Sequence, residues 1–202
     1  MGRIKPDEME NYVNTSSEWL KLPDDGDVAT VQFLAKNIND LDVFVAHKVK
    51  VNGRDRWVNC TRNYDDPIDS CPFCAAGIPQ KPVMILSMYD HKDGKVKIWE
   101  RGNNFRKILE SKFNRYPGDF SKNVFDIERH GAKGDQHTTY ELIHVDDEPK
   151  DLSTIEKPDV FGRLILDKTP DEMMYYLDHG DFPNNENTSG EVTRRAPSRR
   201  GY

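Results

Sequence analysis

The sequence has no apolar run longer than four or five residues, Val83-Met84-Ile85-Leu86 among them. A helix that spans a bilayer needs about 20 such residues, so no membrane-spanning helix is expected. No apolar stretch follows the first residues, Met1-Gly2-Arg3-Ile4-Lys5-Pro6-Asp7-Glu8, which argues against a secretory leader. Cysteine is scarce: three in 202 residues. An odd number without a leader speaks for reduced thiols rather than a disulfide framework. Gly-x-Ser-x-Gly, phosphate-loop and His-Glu-x-x-His patterns are missing. The paired carboxylates Asp65-Asp66 and Asp146-Asp147 lie in turns or acidic runs without a partnered base. No internal repeat is present, and the chain is not expected to be an enzyme.

What is present is charge, unevenly spread. The formal net charge is −6, which taken alone argues against nucleic acid as a partner. Residues 36–115 nonetheless hold 15 Lys+Arg and 10 Asp+Glu, a local net of +5. Residues 146–181 hold 11 acidic and 4 basic residues, a net of −7. The final stretch, 182–202, is rich in Pro, Asn, Ser and Arg without apolar periodicity and reads as disordered.

Hydrophobic patterning predicts a mainly β chain. Strands are expected over Val28–Leu34, Leu41–Val51, Pro82–Tyr89, Lys95–Glu100, Val124–Arg129 and Thr138–Val145. In the second, Val43, Val45, Val49 and Val51 alternate as in a half-buried strand. Turn residues predict hairpins at Asp90-His91-Lys92-Asp93-Gly94 and at Gly131-Ala132-Lys133-Gly134-Asp135. Helical spacing marks Asn103–Phe113, a short helix near Met173–Leu177, and a helix-compatible stretch near Thr15–Leu20. Five or six strands with one helix inserted late suggest a five-stranded Greek-key barrel of the OB type, although a sandwich or an SH3-like barrel has the same strand count. Four parts are expected: an N-terminal arm (1–26), a core (27–145) carrying a metal-binding subdomain (47–74), an acidic segment (146–181) and an Arg-containing tail (182–202).

All three cysteines fall in Cys60-x10-Cys71-x2-Cys74. Cys71-Pro72-Phe73-Cys74 is a knuckle whose thiolates converge on one ion, and Cys60 supplies a third ligand. The candidate fourth ligand is His47, giving a Cys3His set suited to one Zn²⁺; His91 is the rival nearest in sequence. A redox Cys-x-x-Cys should follow a buried strand, whereas this one follows the polar run Tyr64–Ser70 and leaves Cys60 without a role. A zinc deaminase needs His-x-Glu, but His47 is followed by Lys48-Val49. Four protein ligands close the site, so a structural ion is expected.

Single strands are held by cationic grooves lined with aromatic platforms. The candidate contacts are Lys36, Lys48, Lys50, Arg56, Trp57, Arg62, Tyr64, Tyr89, Lys95, Lys97, Trp99 and Arg101. Strand alternation puts Lys95, Lys97 and Trp99 on one face and Val96 and Ile98 on the other, so Trp99 is expected to be exposed. Phe113, Phe120 and Phe161 are expected in the core.

The spacing His47-x12-Cys60-x10-Cys71-Pro72-x-Cys74 resembles that of the gene 32 single-stranded DNA-binding proteins of T-even bacteriophages. Lys95-Val96-Lys97-Ile98-Trp99-Glu100-Arg101-Gly102 with Phe105-Arg106-Lys107-Ile108-Leu109 resembles the strand, turn and helix after that family's zinc site. Phe125-Asp126-Ile127-Glu128-Arg129 and Tyr140 resemble its closing hairpin, and the resemblance adds Phe105, Arg106, Phe125, Arg129 and Tyr140 to the candidate contacts. The likeness covers about residues 28–145. It implies an OB fold with structural zinc and coating of single-stranded DNA in phage replication, recombination and repair. It also implies a place in the cytoplasm of the infected bacterial host, self-association along DNA, and recruitment of replication proteins through the acidic segment. The ends depart from the family: only Arg3 and Lys5 are basic near the start, and the last residues are Arg-rich rather than acidic. A zinc-ribbon protein–protein adaptor and a zinc-stabilised nuclease are the alternative readings.

Overall fold

The computed structural model describes residues 18–183. Nine strands form one mixed sheet: β1 (Glu18–Trp19), β2 (Val28–Phe33), β3 (Asp42–Val51), β4 (Arg54–Asn59), β5 (Gln80–Asp90), β6 (Lys95–Arg101), β7 (Val124–His130), β8 (Thr139–Val145) and β9 (Ile165–Leu166). Three helices complete the described fold: α1 (Pro72–Ala75), α2 (Asn103–Arg115) and α3 (Pro170–His179).

The sheet forks at β5. One edge of β5 pairs with β6 along residues 84–90. The other pairs first with β3, over residues 80–85, and then with β2, over residues 88–90. One arm runs β2–β7–β8 and the other β3–β4–β9. All these ladders are antiparallel except the short parallel pairs β1–β6 and β4–β9. Among the described residues no ladder joins β8 to β9, so the sheet is an open fork.

Each arm has its own core. Val31, Phe33, Leu86, Met88, Trp99, Leu109, Phe120, Phe125, Ile127 and Leu142 fill the space between the first arm and α2. Phe33, Phe120 and Phe125 meet at ring-centroid distances of 5.0–6.0 Å. The second arm packs Ala46, Val83, Ile85 and Ile98 against Val160 and Ile165. Beyond it, Val49, Val58, Phe73, Met173 and Phe182 surround the cysteines.

The period-two expectation for β3 holds only in part. Val49 is buried, but Val43 and Val45 are half exposed, and the successive residues Ala46 and His47 are both fully buried. Two consecutive inward residues switch the buried face midway along β3. The strand thereby packs Phe44 and Ala46 into one cluster and Val49 and Val51 into the next.

Two further readings, on the Thr15–Leu20 stretch and on Phe182, need correction. Glu18–Trp19, part of the helix-compatible stretch, pairs as a strand with β6; the N-terminal part of that stretch lies outside the described residues. The acidic segment 146–181 is folded onto the arms. Gln32, itself buried, donates to the Lys150 carbonyl at 2.9 Å and accepts from its N–H at 2.9 Å. Lys157 pairs with Asp42 at 2.9 Å. Val160, Ile165 and Met173 are widely spaced apolar anchors in this acidic sequence, and all three are buried. Phe182, assigned to the tail, is buried against Phe73 and Tyr176; residues 184–202 of that tail lie outside the described residues. Phe120 is in the core as expected, whereas Phe161 is 41 % exposed and stacks on Phe44.

Candidate metal centre and nucleic-acid interface

His47 sits in mid-β3 and Cys60 follows β4 directly, so the β3–β4 ladder, with His47 opposite Val58, fixes their separation. Cys71 immediately precedes α1, whose first residue is Pro72. Proline is favoured there because its fixed φ suits a first turn and its missing N–H costs no bond. One helical turn then carries Cys74 back towards Cys71. The His47 Nε2 atom lies 3.4 Å from Cys71 Sγ and 3.7 Å from Cys74 Sγ, and Cys60 Sγ lies 3.6 Å from Cys74 Sγ. All four ligand atoms fall within 4.8 Å of one another, close enough to bind one metal ion. His91 is elsewhere, 3.1 Å from the Gln32 side chain.

The surroundings suit an ion. The Nδ1–H of His47 donates to the Ile78 carbonyl at 3.0 Å, which turns Nε2 towards the sulfurs. Burial favours the protonated thiol of Cys71, but N–H groups of Cys74, Thr61 and Phe73 outweigh it and hold that thiol at about 6. Burial pushes Cys60 up to about 12 and also raises Cys74. Near neutral pH one sulfur is therefore a thiolate and two keep their protons. Metal ligation deprotonates all three. Binding at pH 8 should release about two protons, and apparent affinity should rise about two decades per pH unit, more steeply below pH 6, where Cys71 also protonates. Metal calorimetry in two buffers of different ionisation enthalpy measures that release.

The candidate nucleic-acid contacts separate into two groups. Lys36, Lys48, Lys50 and Lys95 are exposed, and Tyr64 is 93 % exposed on the metal loop. Arg56 and Trp57 are half buried; Arg56 donates to the Arg163 carbonyl at 2.7 Å, and the Lys48 Nζ lies 5.7 Å from the Trp57 ring. Lys48, Arg56 and Trp57 line one cleft of about 260 Å³ together with Trp19, Asp55, Ile85, Glu100 and Leu164. Sequence reasoning passed over Trp19 and Glu100. Trp19 was assigned to a helix in the arm, and Glu100 carries the charge opposite to the one sought.

The second group is inside the protein. Trp99 is 4 % exposed, which corrects its assignment to an open face. Its ring meets Phe105 at 5.0 Å and Tyr140 at 4.9 Å, and the Arg101 guanidinium lies 3.5 Å from it. Arg101 also lies 4.2 Å from the Tyr140 ring, and burial lowers its guanidinium to about 10. The inserted helix α2 and strand β8 cover the face that alternation had left to solvent. Phe105 and Phe125 are buried in the same core, Tyr89 is buried beside His91, and the buried Lys97 is paired with Asp93 at 2.7 Å. Arg106 is paired with Glu110 on α2. Arg129 donates to the carbonyls of Leu22, Gly131 and Ala132, tying β7 to the hairpin turn. Arg62 donates to the carbonyls of Asp66 and Tyr64, holding the metal loop closed on itself.

Comparison with protein-family models and with curated proteins returned no match.

Proposed function

We propose that this chain binds single-stranded DNA, coating it with little base selectivity, and that the Cys3His cluster holds one structural zinc ion. The observation that carries the reading is the cleft in which Lys48, Arg56 and Trp57 meet, three residues before the metal ligand Cys60. Lysine and arginine neutralise phosphates there, while an indole offers a stacking surface to any base. Three sulfurs and one imidazole in a closed set suit zinc, which supplies folding energy rather than a reactive water. On this reading β2–β8 form an OB-type barrel left open between its arms, and the ion braces β4 and the metal loop as one wall of the cleft. Self-association along DNA and recruitment of phage replication proteins by the exposed acidic residues of 146–181 belong to the same proposal.

Titration of tryptophan fluorescence with oligo-dT at several salt concentrations tests it. The expected result is quenching, with a slope of log affinity on log salt of about −0.7 per phosphate neutralised. Equal affinity for duplex and single strands, or no salt dependence, overturns it. The protein–protein adaptor reading is favoured by the exposed Tyr64 and Ile68 on the metal loop, and it predicts no oligonucleotide binding.

A further inference from the structure

We infer that the cleft between Trp19 and Trp57 is a base-reading pocket in which Glu100 selects a base bearing an exocyclic amine, cytosine above thymine. This rests on the single-strand reading and refines one position of an otherwise base-tolerant contact.

The two indoles come from strands far apart in sequence. Trp19 lies on β1, which pairs with β6 at Ile98. Trp57 lies on β4, between Lys48 of β3 and Ile165 of β9. Trp19 is 42 % exposed, although burying an indole would contribute about 2 kcal/mol or more. Two aromatic walls and the apolar side chains of Ile85 and Leu164 suit the flat, weakly polar faces of a base. The polar lining is mixed, and this decides the ligand. Lys48 is paired with Asp55 at 3.4 Å, but both side chains stay about half exposed, so the ammonium remains open to a backbone phosphate beside the base. The backbone carbonyl of Glu100 accepts from Arg101, whose guanidinium also feels the Glu100 charge, while no hydrogen bond is seen at the carboxylate among the described residues. A carboxylate with acceptor capacity left in a cleft lined by two indoles suits a base that donates hydrogen bonds. Cytosine presents an N4 amino donor to such an acceptor, whereas thymine presents only a carbonyl there. A pocket for a bare phosphate would not place Glu100 in its lining.

The test measures anisotropy of labelled oligo-dC and oligo-dT at pH 8, which share one backbone and hence one salt dependence. Wild type should bind oligo-dC about tenfold more tightly. Glu100→Met should abolish that preference, bringing the two affinities together. Trp19→Ala, at a partly exposed position, should weaken both by about fivefold or more. Equal wild-type affinities, or a cytosine preference that survives in Glu100→Met, overturn the pocket and leave the single-strand reading standing. Binding of neither oligonucleotide by wild type overturns both. Circular dichroism of each variant separates loss of the pocket from loss of the fold.

Discussion

With one zinc ion held as proposed, His47→Ala will abolish metal binding and lower the thermal midpoint by about 10 °C or more. His47 is fully buried, and its ring touches Phe73 edge-on at 5.5 Å. Removing it deletes one of four ligands and leaves the Ile78 carbonyl without its donor. Loss of a structural metal belongs among the largest single-residue effects, above about 4 kcal/mol. A chain of this size moves about 2–4 °C per kcal/mol, which gives the expected shift. The damage should be local first. Phe73, Met173, Tyr176 and Phe182 pack around the cysteines, so hydrogen exchange should accelerate in α1 and α3 before it does in β2, β7 and β8. His91→Ala, remote from the cluster, should keep one equivalent of metal by elemental analysis. Metal retained in His47→Ala, or lost in His91→Ala, would reassign the fourth ligand.

Phe125→Ala should cost about 3–5 kcal/mol of stability, the usual range for a buried phenylalanine. Its ring is fully buried and meets Phe33, Phe120, Tyr116 and His144 at 5.0–6.0 Å. Denaturant unfolding should therefore show a large loss, while the oligonucleotide affinity of the folded variant stays within about twofold of wild type. The opposite pattern, unchanged stability with weakened binding, would return Phe125 to the DNA-facing group and contradict the core assigned to β7.

The contrast between Phe125 and Trp57 marks what was legible in the sequence. Local patterns carried well: β2, β3, β5 to β8 and α2 lie within a few residues of their expected bounds. The ligand cluster was legible because knuckle spacing and strand geometry are both short-range. Strand β4 was not, since Arg54, Asp55 and Arg56 hide its alternation; Asn52-Gly53, both with positive φ, is the hairpin signal that announces it. The burial of Trp99 was not legible either. Alternation says which residues share a face but not which face the following helix, through Phe105, and the later strand β8, through Tyr140, will cover. In the acidic segment the spacing of Met173–Leu177 announced α3, but the contacts of Gln32 and Asp42 that hold residues 150 and 157 to the arms are long-range and left no local signal. Trp19 and Glu100 acquire meaning only from the fork that brings β1, β4 and β6 around one cleft.

The most direct test of the account is the salt-dependent titration of wild type with single-stranded oligonucleotide, read on tryptophan. Trp19 and Trp57 line the cleft and Trp99 is buried, so quenching should come from the first two. It should weaken as salt rises, by about 0.7 in log affinity per log unit of salt for each phosphate contacted. It should vanish in a Trp19→Phe/Trp57→Phe variant that retains Trp99. An unquenched wild type, or binding indifferent to salt, would contradict the central claim that this cleft holds single-stranded DNA.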